Sequence, residues 1–412
     1  MIKEKFAKIV VNVAVREWPQ RWPTFTDSLI AVIENNRREM DVALIIFRIL
    51  CEEITVFNED WDDSRRNELK SALNAVMPSM FPLLVSVLGS LSLFSNQIDG
   101  FSPEESLYLS IILMKNFGVL LEWLSPNILS EYPSFVSLIC KAVFINNKEI
   151  SIHSCDCMFL LCSRGWKPSE KSLLDPIIDL SPHVSEFLRS TSLEHYEMQK
   201  KLSQVYSTLA IRQICQKKHP YIPKQGFELF LSVALLGFLH PSLLISSLFC
   251  PFWQTSFKID MISSNSSFIA TFPYLIEEIF KKLTVNLLKL KSPYTREDFD
   301  DKVEYGYFIG SYHGYLAEIL KHVSAAKTIE TLQFIGGKIA LTLQKCQNVL
   351  QDAHFEEWNY LISFLEICSK GITVLNGDLK QCVAQFISSF LAIQTKVKFH
   401  LFLRVKLFKA KI

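Results

Sequence analysis

Arg16-Glu17-Trp18-Pro19-Gln20-Arg21-Trp22-Pro23-Thr24-Phe25 sets two Trp-Pro pairs four residues apart, between two helical patterns. Before it, Phe6, Ile9, Val10 and Val13 recur at the i, i+3, i+4, i+7 spacing that gathers side chains on one helix face. After it, Phe25, Leu29, Val32 and Ile33 continue a comparable pattern. Pro19 disfavours the helical conformation at Trp18, so the first helix is expected to end near Glu17. Pro23 has its φ preset for a first helical turn, so the second is expected to begin there. The stretch reads as the corner of an α-α hairpin, with Trp18, Pro19, Trp22 and Pro23 as structural elements and both indoles buried.

The hairpin is echoed downstream. Val42, Ile45, Ile46, Ile49 and Leu50 mark another helix, with Arg48 and Glu52 paired at i, i+4 on its wet side. Asn58 to Asp63 reads as an acidic turn. Leu69, Leu73, Val76 and Met80 begin a partner helix that Pro78 and Pro82 are expected to kink or split. Ser102-Pro103-Glu104-Glu105 is a helix start, a Ser cap followed by Pro and acids in the first turn, and this helix runs to Trp123. Further helices are expected from Phe135, over Asn147 to Cys162, and over Leu193 to Lys218. Degenerate helix pairs at a period of roughly 40–47 residues predict an all-α fold, an elongated α-α superhelix of the HEAT-like or armadillo type, over residues 1–390. Residues 391–412 stand apart. Lys396-Val397-Lys398-Phe399-His400-Leu401-Phe402-Leu403-Arg404-Val405-Lys406-Leu407 alternates in part like a strand and is strongly basic, so this tail is expected to lie outside the solenoid.

Composition agrees. The chain is 49% hydrophobic with only 13 Gly in 412 residues, and it lacks strand-like alternation. Lys+Arg 43 against Asp+Glu 42 leaves a net charge of +1, so no whole-chain field draws it to nucleic acid and any RNA contact needs local basic patches. Ten cysteines without dense spacing read as reduced, buried thiols of an intracellular protein. Leu229 to Phe257 holds no charged residue and exceeds the ~20 residues needed to span a bilayer. His240-Pro241-Ser242 halves that run and Pro251 cuts it again, so it reads as the buried centre of a helix pair and not as a membrane insertion.

Candidate chemistry is sparse. His153, Cys155, Cys157 and Cys162 have metal-ligand chemistry, but on a helix Cys155 and Cys157 project about 200° apart and cannot share an ion. Gly310-Ser311-Tyr312-His313-Gly314 has its Ser one place too early for a nucleophile elbow. No phosphate-cradling Gly loop, His-Glu-x-x-His or Cys-x-x-Cys occurs, so neither an enzyme nor a cofactor is expected. Lys281, Lys282, Lys289 and Lys291 fall along the helix beginning at Phe272-Pro273; residues 282 and 289 lie about 20° apart on a helix wheel, and the four form the best local basic patch. The plainer reading is a solvated face with Glu278 paired to Lys282. Lys217 and Lys218 close the helix before His219-Pro220, where the helix dipole favours cations and where a phosphate could also be met. Ser292 to Asp301 is an acidic loop whose Asp298, Asp300 and Asp301 suit basic segments of a partner.

The Trp-Pro corner, in the form Glu-Trp-Pro-x-x-Trp-Pro-x-Phe, resembles the nuclear exportins of the importin-β (karyopherin) superfamily, and Arg16-Glu17-Trp18-Pro19-Gln20 is most similar to the exportin-5 branch. The His240-Pro241-Ser242 turn with Trp253 downstream and the acidic Asp298-Phe299-Asp300 run are similar to that branch in the same order. The resemblance covers residues 1 to about 390 and only an internal section of an exportin, so the repeats on which the family grips Ran are expected to precede Met1 and the chain to represent part of such a receptor. It implies a nuclear export receptor shuttling between nucleus and cytoplasm. The partners implied are Ran-GTP, structured RNA or protein cargo and nuclear pore proteins, with no DNA. In this family the second helix of each pair lines the inside, and the helix from Phe272 to Leu290 is expected to be such a helix. The alternative from another class is a helical scaffold that binds protein partners without Ran.

Overall fold

The computed structural model describes residues 2–55, 62–91, 93, 101–190, 192–223, 226–284, 293–346 and 352–372. Every regular element among them is helical, and the chain divides into two compact units, residues 1–229 and 230–412. The basic tail 391–412, Lys289 and Lys291 lie outside the described residues.

The first unit contains α1 (Ile2–Glu17), α2 (Phe25–Asn35), α3 (Met40–Thr55), α4 (Asp63–Ser90), α5 (Pro103–Trp123), α6 (Pro126–Glu131), α7 (Ser134–Ala142), α8 (Lys148–Ser163), α9 (Asp175–Asp179), α10 (Ser181–Arg189) and α11 (Tyr196–Leu209), which continues as a π-helical turn over Ala210–Ile214. Helices α1, α3, α5, α8 and α11 lie side by side in one row, while α2, α4, α7, α9 and α10 build the other. Each helix pair touches chiefly its neighbours, which is HEAT-type stacking. Between the rows, Phe81 of α4, Phe117 of α5 and Phe135 of α7 form an aromatic triangle with ring centroids 4.8–6.1 Å apart.

The corner that organises the sequence is present with one change. Helix α1 ends at Glu17, as Pro19 requires, and Trp18 is only 2% exposed. The Trp18–Pro19 bond is cis. Trp22 is half-buried, not buried as expected, and its ring lies 4.6 Å from that of Phe25. Pro23 and Thr24 stay in the turn, so α2 begins two residues later than the proline suggested. The buried face of α1 also differs. Ala7, Val11, Ala14 and Val15 are buried, whereas Ile2, Phe6, Ile9 and Val13 are exposed. Helix α1 is apolar on two faces, and the smaller side chains let it lie close against α3.

Prolines break less than expected. Helix α4 runs unbroken through Pro78 and Pro82, and α13 through Pro251. The Ser102 capping box forms as read, its hydroxyl accepting from the Glu105 amide at 3.2 Å while the Glu105 carboxylate accepts from the Ser102 amide at 2.8 Å. The long helix expected to Lys218 instead ends in the π-turn at Ile214. By length and composition α4 and α5 are each long and apolar enough to cross a bilayer, and both direct buried apolar residues into the aromatic core.

The ends of the row helices share one device. The guanidinium of Arg65 donates to the carbonyls of Val15, at 2.8 Å, and Trp18, closing α1. Arg164 donates to the carbonyls of Leu121 and Leu124, closing α5. The Gln213 amide donates to Cys162 and Arg164 at 2.7 Å each, closing α8. Lys171 Nζ donates to the carbonyls of Gln213 and His219 and to Gln216 Oε1, closing the π-turn after α11. The last carbonyls of a helix have no intrahelical partner, and the dipole favours a cation or donor there.

The second unit, into which α12 (Phe227–Leu239) leads, contains α13 (Leu243–Ser256), α14 (Asp260–Ser263), α15 (Ser266–Ala270), α16 (Phe272–Thr284), α17 (Pro293–Asp298), α18 (Lys302–Ala326), α19 (Thr328–Cys346) and α20 (Asp352–Ile372). Helices α13, α18 and α20 form one row, with α16 and α19 alongside in the other. Helix α16 stands between α13 and α18 in chain order and lies in the row facing theirs. At Gly237 the chain has no room for a side chain, since a Cβ there would stand 2.0 Å from the Phe249 ring.

Truncating the buried indole by Trp18→Ala is expected to destabilise the first unit by about 3–5 kcal/mol, as buried aromatic deletions do. Trp22→Ala, at a half-buried site, is expected to cost about 1 kcal/mol, the centre of ordinary substitutions. Denaturant titrations of the two variants beside the parent measure the difference.

Candidate functional site

Three stretches that are remote in sequence meet in the second unit. The His240-Pro241-Ser242 turn joins α12 to α13, Ser242 capping α13 by accepting from the Ile245 amide at 3.2 Å. Ser242 Oγ also reaches Asp298 Oδ2 of α17 at 3.2 Å, and the His240 ring lies edge-on to Tyr294 with centroids 5.5 Å apart. From α16, Lys282 Nζ donates to the Phe238 carbonyl at 2.6 Å and to Ser246 Oγ at 2.7 Å, with Glu278 at 3.2 Å. Ser246 Oγ in turn meets the Tyr312 hydroxyl of α18 at 2.7 Å. The turn, the acidic segment and the lysine helix are thus one polar knot inside apolar packing.

This arrangement corrects the lysine stripe. Lys282 is 6% exposed, and it closes the end of α12 instead of facing solvent. Burial lowers its pKa, while the adjacent Glu278 carboxylate opposes that shift. The expected Glu278–Lys282 pairing is present, but inside the protein. Lys281, one position and about 100° away, is exposed and paired with Glu277 at 3.1 Å. Lys217 and Lys218 are exposed beyond the π-turn, where Lys171 and not either of them serves the carbonyls.

The acidic segment is partly helical and already engaged. Asp301 caps α18, accepting from the Val303 and Glu304 amides at 2.7 and 2.8 Å. Glu304 accepts from the Asp300 amide at 3.1 Å. Asp298 is half-buried against Ser242, and of the exposed Glu297, Asp300 and Asp301 the last is engaged as the α18 cap. The His/Cys cluster is not brought together. Cys155, Cys157 and Cys162 are buried, with their thiol pKa values raised by burial, whereas His153 lies half-buried between Glu149 and Asp156.

Sequence reasoning missed the charge pairing along the first row. Lys3 meets Asp41, Lys8 meets Glu53 and Arg48 meets Glu4 across α1 and α3. Lys115 meets Glu149, Lys148 meets Glu197 and Lys201 meets Asp156, each at 2.6–2.7 Å, across α5, α8 and α11. A helix-wheel reading of one helix cannot find pairs between helices about 40 residues apart.

Two family models match the chain, that of the Exportin 1-like protein over residues 1–158 and that of the Exportin-5 family over residues 193–395. The chain belongs to the exportin-5-type karyopherins. Exportin-5 of Dictyostelium discoideum is 22% identical over 364 residues, which are 82% of this chain and 31% of that protein. Exportin-5 of Homo sapiens is 22% identical over 345 residues, 78% of this chain and 28% of that protein. Protein HASTY 1 of Arabidopsis thaliana is 23% identical over 175 residues, 42% of this chain and 14% of that protein. The chain thus spans about a third of the length of the exportin-5 relatives it matches. Exportins are a family of transport receptors, not of enzymes, and their HEAT-type helical fold is the one described above.

Two outcomes follow for the knot. Lys281→Glu, at the surface, is expected to change stability by less than about 0.5 kcal/mol. Lys282→Glu sets a carboxylate against Glu278 and the Phe238 carbonyl, and about 3–5 kcal/mol is expected to be lost, as when a buried pair is broken. Denaturant melts of both variants measure this. The second outcome concerns pH. Burial, with the charge of Lys282 added, lowers the His240 pKa to about 4, and Nδ1 accepts from the Ser242 amide at 3.0 Å. Between about 6.5, its unfolded value, and about 4 the unfolded chain binds a proton that the folded chain does not, so stability falls as pH falls through that window. His240→Gln is expected to remove that part of the slope in unfolding free energies measured against pH.

Proposed function

We propose that this chain is a section of a nuclear export receptor, which binds Ran-GTP together with RNA or protein cargo and, through contacts with nuclear pore proteins, carries that cargo from nucleus to cytoplasm. The observation that carries the reading is the stacked helix-pair architecture lying under both exportin matches, residues 1–158 and 193–395. In such a stack small rotations per repeat add up to a large change in curvature, which suits a receptor that closes on a partner and releases it. Within the second unit, the polar knot holds α17 in place and leaves Glu297 and Asp300 to meet basic segments of a partner.

Cargo chemistry follows from charge. A-form RNA is met through phosphates and shape, which needs free cations on one surface. Among the four proposed lysines of the α16 region, Lys282 is buried and Lys281 is paired, and many lysines of the first row are paired with acids of the next helix. Lys217 and Lys218 remain the exposed described candidates, and protein cargo is favoured over RNA for the described surface.

The test immobilises the chain and measures retention of Ran loaded with GTP or with GDP, with and without hairpin RNA. Preference for the GTP form supports the receptor reading, and equal retention of both forms favours a scaffold without Ran dependence; since the main Ran-gripping repeats are expected outside this section, weak retention of the GTP form is the expected result. Because Asp298 and Asp301 serve the fold, the clean variant is Glu297→Lys with Asp300→Lys. It is expected to lower retention of Ran-GTP or of cargo several-fold while leaving the melting temperature unchanged.

A further inference from the structure

Helix α18 carries an exposed apolar face that no packing among the described residues of the second unit uses. Val303 is 65% and Tyr307 76% exposed, and Tyr315 stands out further along. Val303, Tyr307, Gly310 and Gly314 follow the i, i+4, i+7, i+11 spacing of one face, and the two glycines have open space where a Cβ would be. Val303 and Tyr307 thus head a line that runs on over two bare glycines, with Tyr315 about 80–120° round the helix. Its N-terminal end is acidic, since residues 296–304 carry Glu297, Asp298, Asp300, Asp301 and Glu304 against Arg296 and Lys302. Asp298, Asp301 and Glu304 accept hydrogen bonds within the fold, and the Glu297, Asp300, Asp301 and Glu304 residues are exposed.

The chain holds a segment of matching chemistry. Residues 396–412 contain Lys396, Lys398, Arg404, Lys406, Lys409 and Lys411 and no acid, interleaved with Phe399, Leu401, Phe402, Leu403, Val405, Leu407 and Phe408. They begin where the Exportin-5 family match stops, at residue 395. The distance is within reach. Gly371, near the end of α20, lies against α18, since a Cβ on it would stand 2.2 Å from the Lys321 carbonyl oxygen. From Lys321 back to Tyr307 is 14 residues of helix, about 21 Å. Residues 373–395 exceed that span whether coiled or extended. Another exposed apolar helix face, Ile2, Phe6, Ile9 and Val13 of α1, lies on a helix with Lys3, Lys5, Lys8 and Arg16 against Glu4 and Glu17, a net positive charge that suits a basic segment less.

We propose that residues 396–412 dock along this face of α18, their cations against Glu297, Asp300 and Glu304 and their apolar side chains against Val303 and Tyr307. Tethering makes the encounter intramolecular, so a weak interface suffices to hold it. The proposal involves neither Ran nor cargo, and it stands or falls apart from the transport reading.

Zero-length carbodiimide coupling of the full chain at high dilution, mapped by peptide mass spectrometry, tests it. The expected products join Lys398, Lys406, Lys409 or Lys411 to Glu297, Asp300 or Glu304, with yields that fall as salt is raised. Val303→Ser with Tyr307→Ser, both at exposed sites, is expected to lower those yields several-fold without removing a coupling group. Tail lysines that couple elsewhere or not at all overturn the proposal, as does coupling unaffected by the double variant. Products that join heavy and light chains in an isotopically mixed sample overturn the same-chain docking and place it between copies.

Discussion

The interaction on which the stack depends is the closure of helix ends from one repeat away. Arg65 serves the carbonyls of Val15 and Trp18, Arg164 those of Leu121 and Leu124, Gln213 those of Cys162 and Arg164, Lys171 those of Gln213 and His219, and Lys282 that of Phe238. A carbonyl at a buried helix end that lacked such a donor would carry the desolvation penalty of an unmade hydrogen bond, about 1–3 kcal/mol. Apolar packing alone lets neighbouring helices slide. A donor aimed at two carbonyls of a particular turn fixes the register of one repeat on the next.

This device accounts for what the sequence revealed and what it hid. Local signals were legible because both partners lie within one turn: the Ser102 capping box, the arrest of α1 before Pro19, and the burial of Phe25, Leu29 and Ile33 on α2. The stacked helical class was legible from the period. The closing donors were not, because an Arg or Lys in a helix reads as solvated until the carbonyl forty residues away is known. Lys282 is the sharpest case, since Glu278 four residues earlier gave it an ordinary surface reading. For α1 the chain offered two apolar faces, and volume decided between them: the face bearing Ala7 and Ala14 approaches α3 closely, while the one bearing Phe6 and Ile9 does not.

The candidate site was legible in its parts and not in its assembly. His240-Pro241-Ser242, Asp298 and Lys282 each stood out, for a turn, an acidic run and a basic stripe, yet nothing in sequence spacing joins them. Their convergence moves Lys282 from a solvent-facing role to the interior and draws Asp298 half-buried against the turn. The lesson extends to charge in general. Ion pairs between exposed side chains contribute little to stability, typically 0–1 kcal/mol. Their larger effect here is on recognition, because a lysine already matched to the carboxylate of the next helix offers a phosphate much less.

Four of the five closing donors, Arg65, Arg164, Gln213 and Lys282, come later in the chain than the carbonyls they serve. The stack therefore has a direction in time as well as in space. A helix pair leaving the ribosome has its packing partner before it has its closing donor, and its last turn stays open until roughly forty more residues have been made, a matter of seconds at ~5–20 residues per second. A break placed after a donor therefore leaves the preceding repeat closed, whereas one at the loop between helices leaves its last turn open.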